Sequence, residues 1–142
     1  MLNVDFFYNK KKIALISLIT EPEKNVAVLE NEVLTLLQNE RFLQIDLSCC
    51  RIINEKPFDI LGSVFELKQI EKDYIVYGEI EIVRFDNMLN KMWSFSGRDI
   101  FVSNSSKKAF EMADDRIKLY DFEENYYEID FDGKVLISYF VS

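Results

Sequence analysis

The 142-residue sequence contains no histidine. That removes the commonest general base, metal ligand and triad partner, so serine and cysteine hydrolase arrangements and histidine-based zinc sites are excluded in their usual forms. The two cysteines, Cys49 and Cys50, are adjacent, a spacing that suits neither an ordinary disulfide nor a chelating pair. Cysteine usage of this kind points to a reducing, cytoplasmic setting. Two prolines and four glycines leave little loop inventory, no linker and no glycine-rich phosphate loop. No apolar run approaches the ~20 residues that span a bilayer. The longest, Ile13 to Ile19, is seven residues and includes Ser17. Lys10 to Lys12 ahead of that run resemble a signal peptide only faintly, because Thr20-Glu21-Pro22-Glu23 stands where a small-residue cleavage site belongs.

What is present is apolar, aromatic and acidic. Hydrophobic residues make up 49% and aromatic residues 14% of the chain, enough for one globular core without staples. The formal charge is −8, and its distribution is lopsided. Residues 111 to 132 hold nine acids against Arg116 and Lys118, a local charge of −7. Such a surface repels phosphate backbones and anionic lipid and attracts cationic partners. Direct nucleic-acid or membrane binding is therefore not expected.

Hydrophobic patterning predicts an α+β domain spanning residues 1–142, an antiparallel sheet built from hairpins with about two helices on one face. Val4 to Tyr8 and Ile13 to Ile19 read as a first hairpin. Thr20 and Glu23 match a capping box with Pro22 in the first turn, and Val26, Leu29, Val33, Leu36 and Leu37 recur at steps of three and four, predicting a helix over 23–41. Phe42 to Cys49 is a predicted strand that Arg51 to Ile53 either continues or follows as the start of another, with a break at Asn54 to Pro57. Gly62 to Ile70 and Tyr74 to Arg84 form a predicted second hairpin around Glu71-Lys72-Asp73. Asp86 to Lys91 is a predicted turn or short helix, and Met92 to Phe95 and Ile100 to Val102 are predicted strand pieces. Ser105 and Ser106 cap a predicted helix from Lys107 to about Ile117 or Tyr120, with Phe110, Ala113 and Ile117 in helical spacing. Tyr126 to Phe131 and Lys134 to Val141 flank Asp132-Gly133, a two-residue hairpin signal. No internal repeat is evident.

Four constellations bear on chemistry. Glu128 to Gly133 matches the first half of a calcium loop, but position 12 is Tyr139 where a glutamate is required, so the hairpin explains the same glycine without metal. Cys49 beside Arg51 has the ingredients of a reactive thiolate, yet neighbouring strand residues point to opposite faces, which favours one packed and one solvated cysteine. Gly97 lies in no phosphate-loop or nucleophile-elbow motif and reads as a turn. Tyrosines and phenylalanines interleave with the C-terminal acids, the composition of an interface whose rings anchor and whose carboxylates pair with lysine or arginine.

The expectation is thus a non-catalytic, cofactor-free and metal-free acidic protein that neutralises a basic protein partner. An immunity protein of a bacterial contact-dependent toxin system, covering the cationic groove of a toxin nuclease, fits the size and charge. The expected contact set is Asp114, Asp115, Asp121, Glu123, Glu124 and Glu128, with Asp130 and Asp132 ranked lower as hairpin residues. The alternatives are a phage or mobile-element DNA mimic directed at a host nuclease or CRISPR effector, and a carboxylate- or metal-dependent enzyme.

Overall fold

The computed structural model describes residues 2–8, 11–19, 26–38, 41–49 and 51–141. Among these there is no helix. The strands are β1 (Leu2–Tyr8), β2 (Lys11–Ile19), β3 (Ala27–Glu30), β4 (Val33–Gln38), β5 (Arg41–Asp46), β6 (Arg51–Pro57) and β7 (Val64–Ile70). They continue with β8 (Asp73–Gly78), β9 (Glu81–Phe85), β10 (Lys91–Ser96), β11 (Phe110–Met112), β12 (Arg116–Tyr120), β13 (Tyr126–Asp130) and β14 (Val135–Tyr139). After the β1–β2 hairpin they form three antiparallel four-stranded meanders: sheet I (β3–β6), sheet II (β7–β10) and sheet III (β11–β14). A structural repeat of one meander per 37 to 46 residues thus underlies a sequence with no visible repeat.

The α+β expectation with two helices is corrected by this all-β arrangement. Residues 26–38 of the expected first helix are instead β3 and β4, joined by Asn31 and Glu32 with φ of 50° and 63°, the left-handed pair of a tight hairpin turn; its capping box, residues 20–23, lies outside the described residues. The helical spacing of Leu29, Val33 and Leu36 was coincidental. Leu34 and Leu36 pack on one face of sheet I with Ile45, whereas Leu37 and Phe42 pack on the other. A strand buried on both faces loses its alternation and becomes an apolar run that periodicity cannot distinguish from helix. The expected second helix, 107 to 120, is β11, a turn over Ala113 to Asp115, and β12. Phe110, Ile117 and Leu119 all enter one core, the period-2 signature that the intervening turn had masked.

Smaller differences have equally local causes. The long strand expected over 74–84 is broken at Glu79 and Ile80 into β8 and β9. Asn54 to Pro57 continues β6, where Pro57 ends an edge strand and its missing N–H costs no ladder bond. Ile100 to Val102 is not a strand, although Phe101 is wholly buried. The first hairpin is present, with Phe6 opposite Ile13 and Tyr8 opposite Lys11.

The sheets stack face to face, and sheet II is covered on both sides. Toward sheet I it contributes Leu67, Tyr74, Val76, Val83 and Phe85, which meet Leu37 and Phe42. Phe42 packs edge-on against Phe85 at 5.1 Å and Phe58 at 5.6 Å, contacts worth about 0.5–1.5 kcal/mol each beyond area burial. Toward sheet III it contributes Ile70, Ile75 and Ile82, which meet Phe110, Ile117, Leu119 and Ile129. Every residue of β9 is buried. No helix long and apolar enough to cross a membrane occurs among the described residues.

Candidate partner-binding surface

In an antiparallel meander, alternate turns share one end. The hairpin turns β3–β4, β7–β8, β9–β10, β11–β12 and β13–β14 therefore form one rim of the stack, and the β12–β13 turn and the sheet-to-sheet links form the opposite rim. An inter-sheet lock holds this alignment. The Phe131 carbonyl, in the β13–β14 turn, accepts from Arg84 Nη1 at 2.8 Å and Trp93 Nε1 at 2.9 Å, while Arg84 Nη2 pairs with Asp73 at 2.7 Å. Arg84 and Asp73 are both buried, so the pair is desolvated and its geometry fixes sheet III against sheet II.

Three turns share one device. Asp86 Oδ1 accepts from the N–H of Met88 and Asn90, both at 2.9 Å. Asp121 Oδ1 accepts from Glu123 at 3.0 Å and Asn125 at 2.9 Å, and Asp130 Oδ1 from Asp132 at 3.0 Å and Lys134 at 2.8 Å. In each, the fourth residue has positive φ: Leu89 at 66°, Glu124 at 66° and Gly133 at 82°. The two-residue turn expected at Asp132-Gly133 is thus this longer aspartate-held turn, and the half-matched calcium loop is accounted for by the same bonds. Glycine is needed at 133 twice over, because a Cβ there would also sit 2.6 Å from Trp93 Cδ2.

The six expected contact acids do not converge. Asp114 and Asp115 are exposed in the β11–β12 turn on the hairpin rim, and Asp115 is paired with Arg116 at 3.0 Å. Glu123 and Glu124 lie in the β12–β13 turn on the opposite rim, about 20 Å away along β12 at ~3.3 Å per residue. Asp121 is 1% exposed and holds its turn, accepting also from Tyr127 Oη at 2.8 Å. Glu128 lies on the outer face of sheet III between Arg116 Nη1 at 2.8 Å and the Tyr126 hydroxyl at 2.5 Å, bonds that hold its carboxyl below the usual range, the tyrosine's first. Asp130 and Asp132 join Asp114 and Asp115 on the hairpin rim.

On that rim, between sheets I and II, opens a cleft of about 390 Å³ that the sequence did not single out. Its floor is a buried polar cluster. Gln44 Nε2 donates to Thr35 Oγ1 at 3.2 Å and to Tyr74 Oη at 3.0 Å, and Thr35 Oγ1 donates to Tyr74 Oη at 2.9 Å. Asn54 closes the cluster by donating to Gln44 Oε1 at 3.4 Å and to the Met88 carbonyl at 3.1 Å. Tyr74 Oη accepts twice, and no described residue accepts its proton. Buried hydroxyls are rarely left so, and Tyr74 lines the cleft together with Gln44. Glu30, Glu71 and Lys72 rim the opening together with exposed Ile53 and Met88. The arrangement can hold a chain segment that offers an acceptor to Tyr74, a cation to Glu30 or Glu71, and apolar area to Met88. An isolated Thr, Gln or Tyr within strands carries no sequence signal of this kind; only the register of β4, β5 and β8 joins them.

Elsewhere, Cys49 is exposed with its thiol 3.9 Å from the Asp46 carbonyl, and Cys50 lies outside the described residues. No cluster of acids and cysteines suited to a metal ion occurs among the described residues.

No protein-family model and no curated protein matches the sequence. Solved structures match the fold. BamB from Moraxella catarrhalis aligns with a TM-score of 0.58 at 12% identity, covering 82% of this chain and 35% of that one. The computationally designed Ika8 protein aligns at 0.59 and 8% identity, covering 80% and 35%. KlHsv2 with loop 6CD replaced by a Gly-Ser linker aligns at 0.58 and 12%, covering 88% and 40%. The neighbours are β-propeller-like, and this chain spans a little over a third of their length. Each four-stranded meander corresponds to a propeller blade, so the three sheets are three successive blades preceded by a two-stranded hairpin.

Proposed function

We propose that this chain is a non-catalytic binding module in which propeller-type blades present their hairpin rim to a basic protein partner. The observation that carries this reading is the inter-blade cleft, where the donor of Tyr74, the carboxylates of Glu30 and Glu71 and the exposed Met88 and Ile53 converge. The net charge of −8 supports it by favouring encounter with cationic surfaces. The narrower proposal, an immunity protein seated over the cationic groove of a toxin nuclease, draws on the same charge. It is restricted by the placement of the acids: a single groove can meet Asp114, Asp115 and Asp132 or else Glu123 and Glu124, not both sets.

The test is retention of proteins from the native host on the tagged chain at low salt, eluted with a salt gradient. One basic protein is expected to elute steeply, and the Glu30→Gln/Glu71→Gln pair to weaken its retention about tenfold, as loss of two complementary charges does. Asp114→Asn/Asp115→Asn should reduce retention less, and Glu123→Gln/Glu124→Gln should leave it unchanged. Retention insensitive to the Glu30/Glu71 pair overturns the cleft as the contact. Failure of the captured protein to show nuclease activity that this chain inhibits overturns the immunity reading.

A further inference from the structure

Apart from the cleft, one cationic group in this acidic chain is unusually placed. Arg98 follows β10 at Gly97, and its guanidinium lies 3.7 Å from the centroid of the Phe140 ring. Its backbone N–H donates to Tyr127 Oη at 2.8 Å, which fixes the start of the side chain. Among the described residues nothing accepts a hydrogen bond from the guanidinium, although the sequence has 25 carboxylates. Its neighbour Asp99 is turned to its own chain, accepting from the Ile100 N–H at 2.8 Å. Stacking on an aromatic ring orients a guanidinium while leaving its in-plane donors open.

These donors edge a slot of about 260 Å³ between the outer strands of sheets II and III. Phe95, Val135 and Phe140 give it apolar walls, and Ser96 and Ser138 contribute hydroxyls that have no partner among the described residues. Gly97 lets the backbone close on this site, since a Cβ there would lie 3.0 Å from both Phe101 and Tyr127. An apolar slot ending in a preset guanidinium and two free hydroxyls fits one ligand chemistry. A monoanionic carboxylate has two oxygens that match the guanidinium fork, and the group carrying it fills the apolar part. A phosphate dianion fits less well, because Tyr127 brings the buried Asp121 carboxylate to the same wall.

We propose that the slot between β10 and β14 binds a carboxylate carried on a small apolar group, with Arg98 as its anion-binding residue. The carboxylate can belong to a free organic acid or to the C-terminal residue of a peptide. The slot shares no lining residue with the inter-blade cleft and stands or falls independently of the partner reading.

The experiment is an NMR titration of the intact chain with 3-phenylpropionate, with 3-phenylpropionamide as control. The acid is expected to shift the Gly97, Arg98 and Ser138 amides with a Kd of about 1 mM, ordinary for so small a ligand. Arg98→Met, which keeps an unbranched side chain but removes the charge, should weaken binding at least tenfold with little change in Tm, and Arg98→Lys should recover part of the loss. A parallel titration with a peptide ending in phenylalanine as the free acid, against its C-terminal amide, distinguishes the sources. Tighter binding of the peptide than of the free acid assigns the site to chain termini, and the reverse assigns it to small acids. Absence of shifts with either acid, equal binding of acid and amide, or binding unaffected by Arg98→Met overturns the proposal.

Discussion

Asp121→Ala tests the placement of the acids most directly, because it sets a structural role against a contact role for one residue. Asp121 is 1% exposed and accepts four hydrogen bonds: from the N–H of Glu123 at 3.0 Å, from the N–H and Nδ2 of Asn125 at 2.9 Å each, and from Tyr127 Oη at 2.8 Å. Asp86 provides a built-in control, since it accepts from two backbone N–H groups and from Asn90 Nδ2 at 3.2 Å in the same turn, but in a half-buried setting and with no tyrosine. Leaving a buried donor unsatisfied costs about 1–3 kcal/mol, whereas a half-exposed one regains water. Asp121→Ala should therefore lose about 3–5 kcal/mol, allowing for partial rehydration, and Asp86→Ala about 1 kcal/mol. At roughly 3 °C per kcal/mol for a domain of this size, the Tm falls by about 10–15 °C and about 3 °C respectively. Urea denaturation followed by circular dichroism in the β-sheet region measures both. Equal losses, or an Asp121→Ala variant of undiminished stability that fails to retain partner, would refute the reasoning.

Other perturbations probe other parts of the stack. Arg84→Met leaves the buried Asp73 carboxylate unpaired and frees the Phe131 carbonyl, so it should cost about 3–5 kcal/mol by urea titration, whereas Lys68→Met, on an exposed pair, should cost under ~1 kcal/mol. Glu124→Gly removes a side chain held at φ 66° and should raise stability by up to about 1 kcal/mol despite the greater freedom of the unfolded chain, seen as an increased denaturation midpoint. Burial pushes the Tyr77 hydroxyl up to about 12, aided by Glu66, and burial together with the Asp121 carboxylate pushes Tyr127 up to about 12. Both folded values lie above the ordinary tyrosine value of ~10, so the stability they contribute is complete below that pH and is lost as pH rises toward 12. Absorbance at 295 nm should show these two rings ionising above the ordinary tyrosine range, and assignment by Tyr→Phe variants checks it.

The hairpins were legible in the sequence where the chain alternates or turns tightly. Glu71-Lys72 and the Asp86 turn fall where the polar breaks stand, and β1–β2 follows from the two apolar runs around the lysines. The helices were misread for one physical reason. Stacked sheets bury both faces of inner strands, so β4 carries Leu34 and Leu36 on one face and Leu37 on the other with only Thr35 between them, and so short an apolar cluster satisfies a helical stripe as well as a strand. The absent sequence repeat has the same source: a blade requires apolar volume at its faces and turn chemistry at its ends, not particular residues at fixed offsets. Asp86 and Asp130, which hold the β9–β10 and β13–β14 turns at equivalent places in successive meanders, are what remains of a repeat.

Charge was legible as a total but not as a surface. The nine acids of residues 111–132 divide in the fold by what they touch. Asp121 and Asp130 spend their lone pairs on turn N–H groups, while Glu128 and Asp115 share Arg116. Glu111, Asp114, Glu123, Glu124 and Asp132 form no ion pair with any described residue, and they lie at different ends of sheet III. A sequence window sums charges along the chain, but antiparallel strands send consecutive turns to opposite rims, so acids about eight residues apart are separated by a strand's length. Groups far apart in sequence are brought together by the same rule: Glu30 and Glu71 meet at one cleft because each occupies or adjoins the first turn of its own blade. In a stack of meanders, binding surfaces are assembled by equivalent positions in successive repeats, and it is at that period that candidate contacts should be sought.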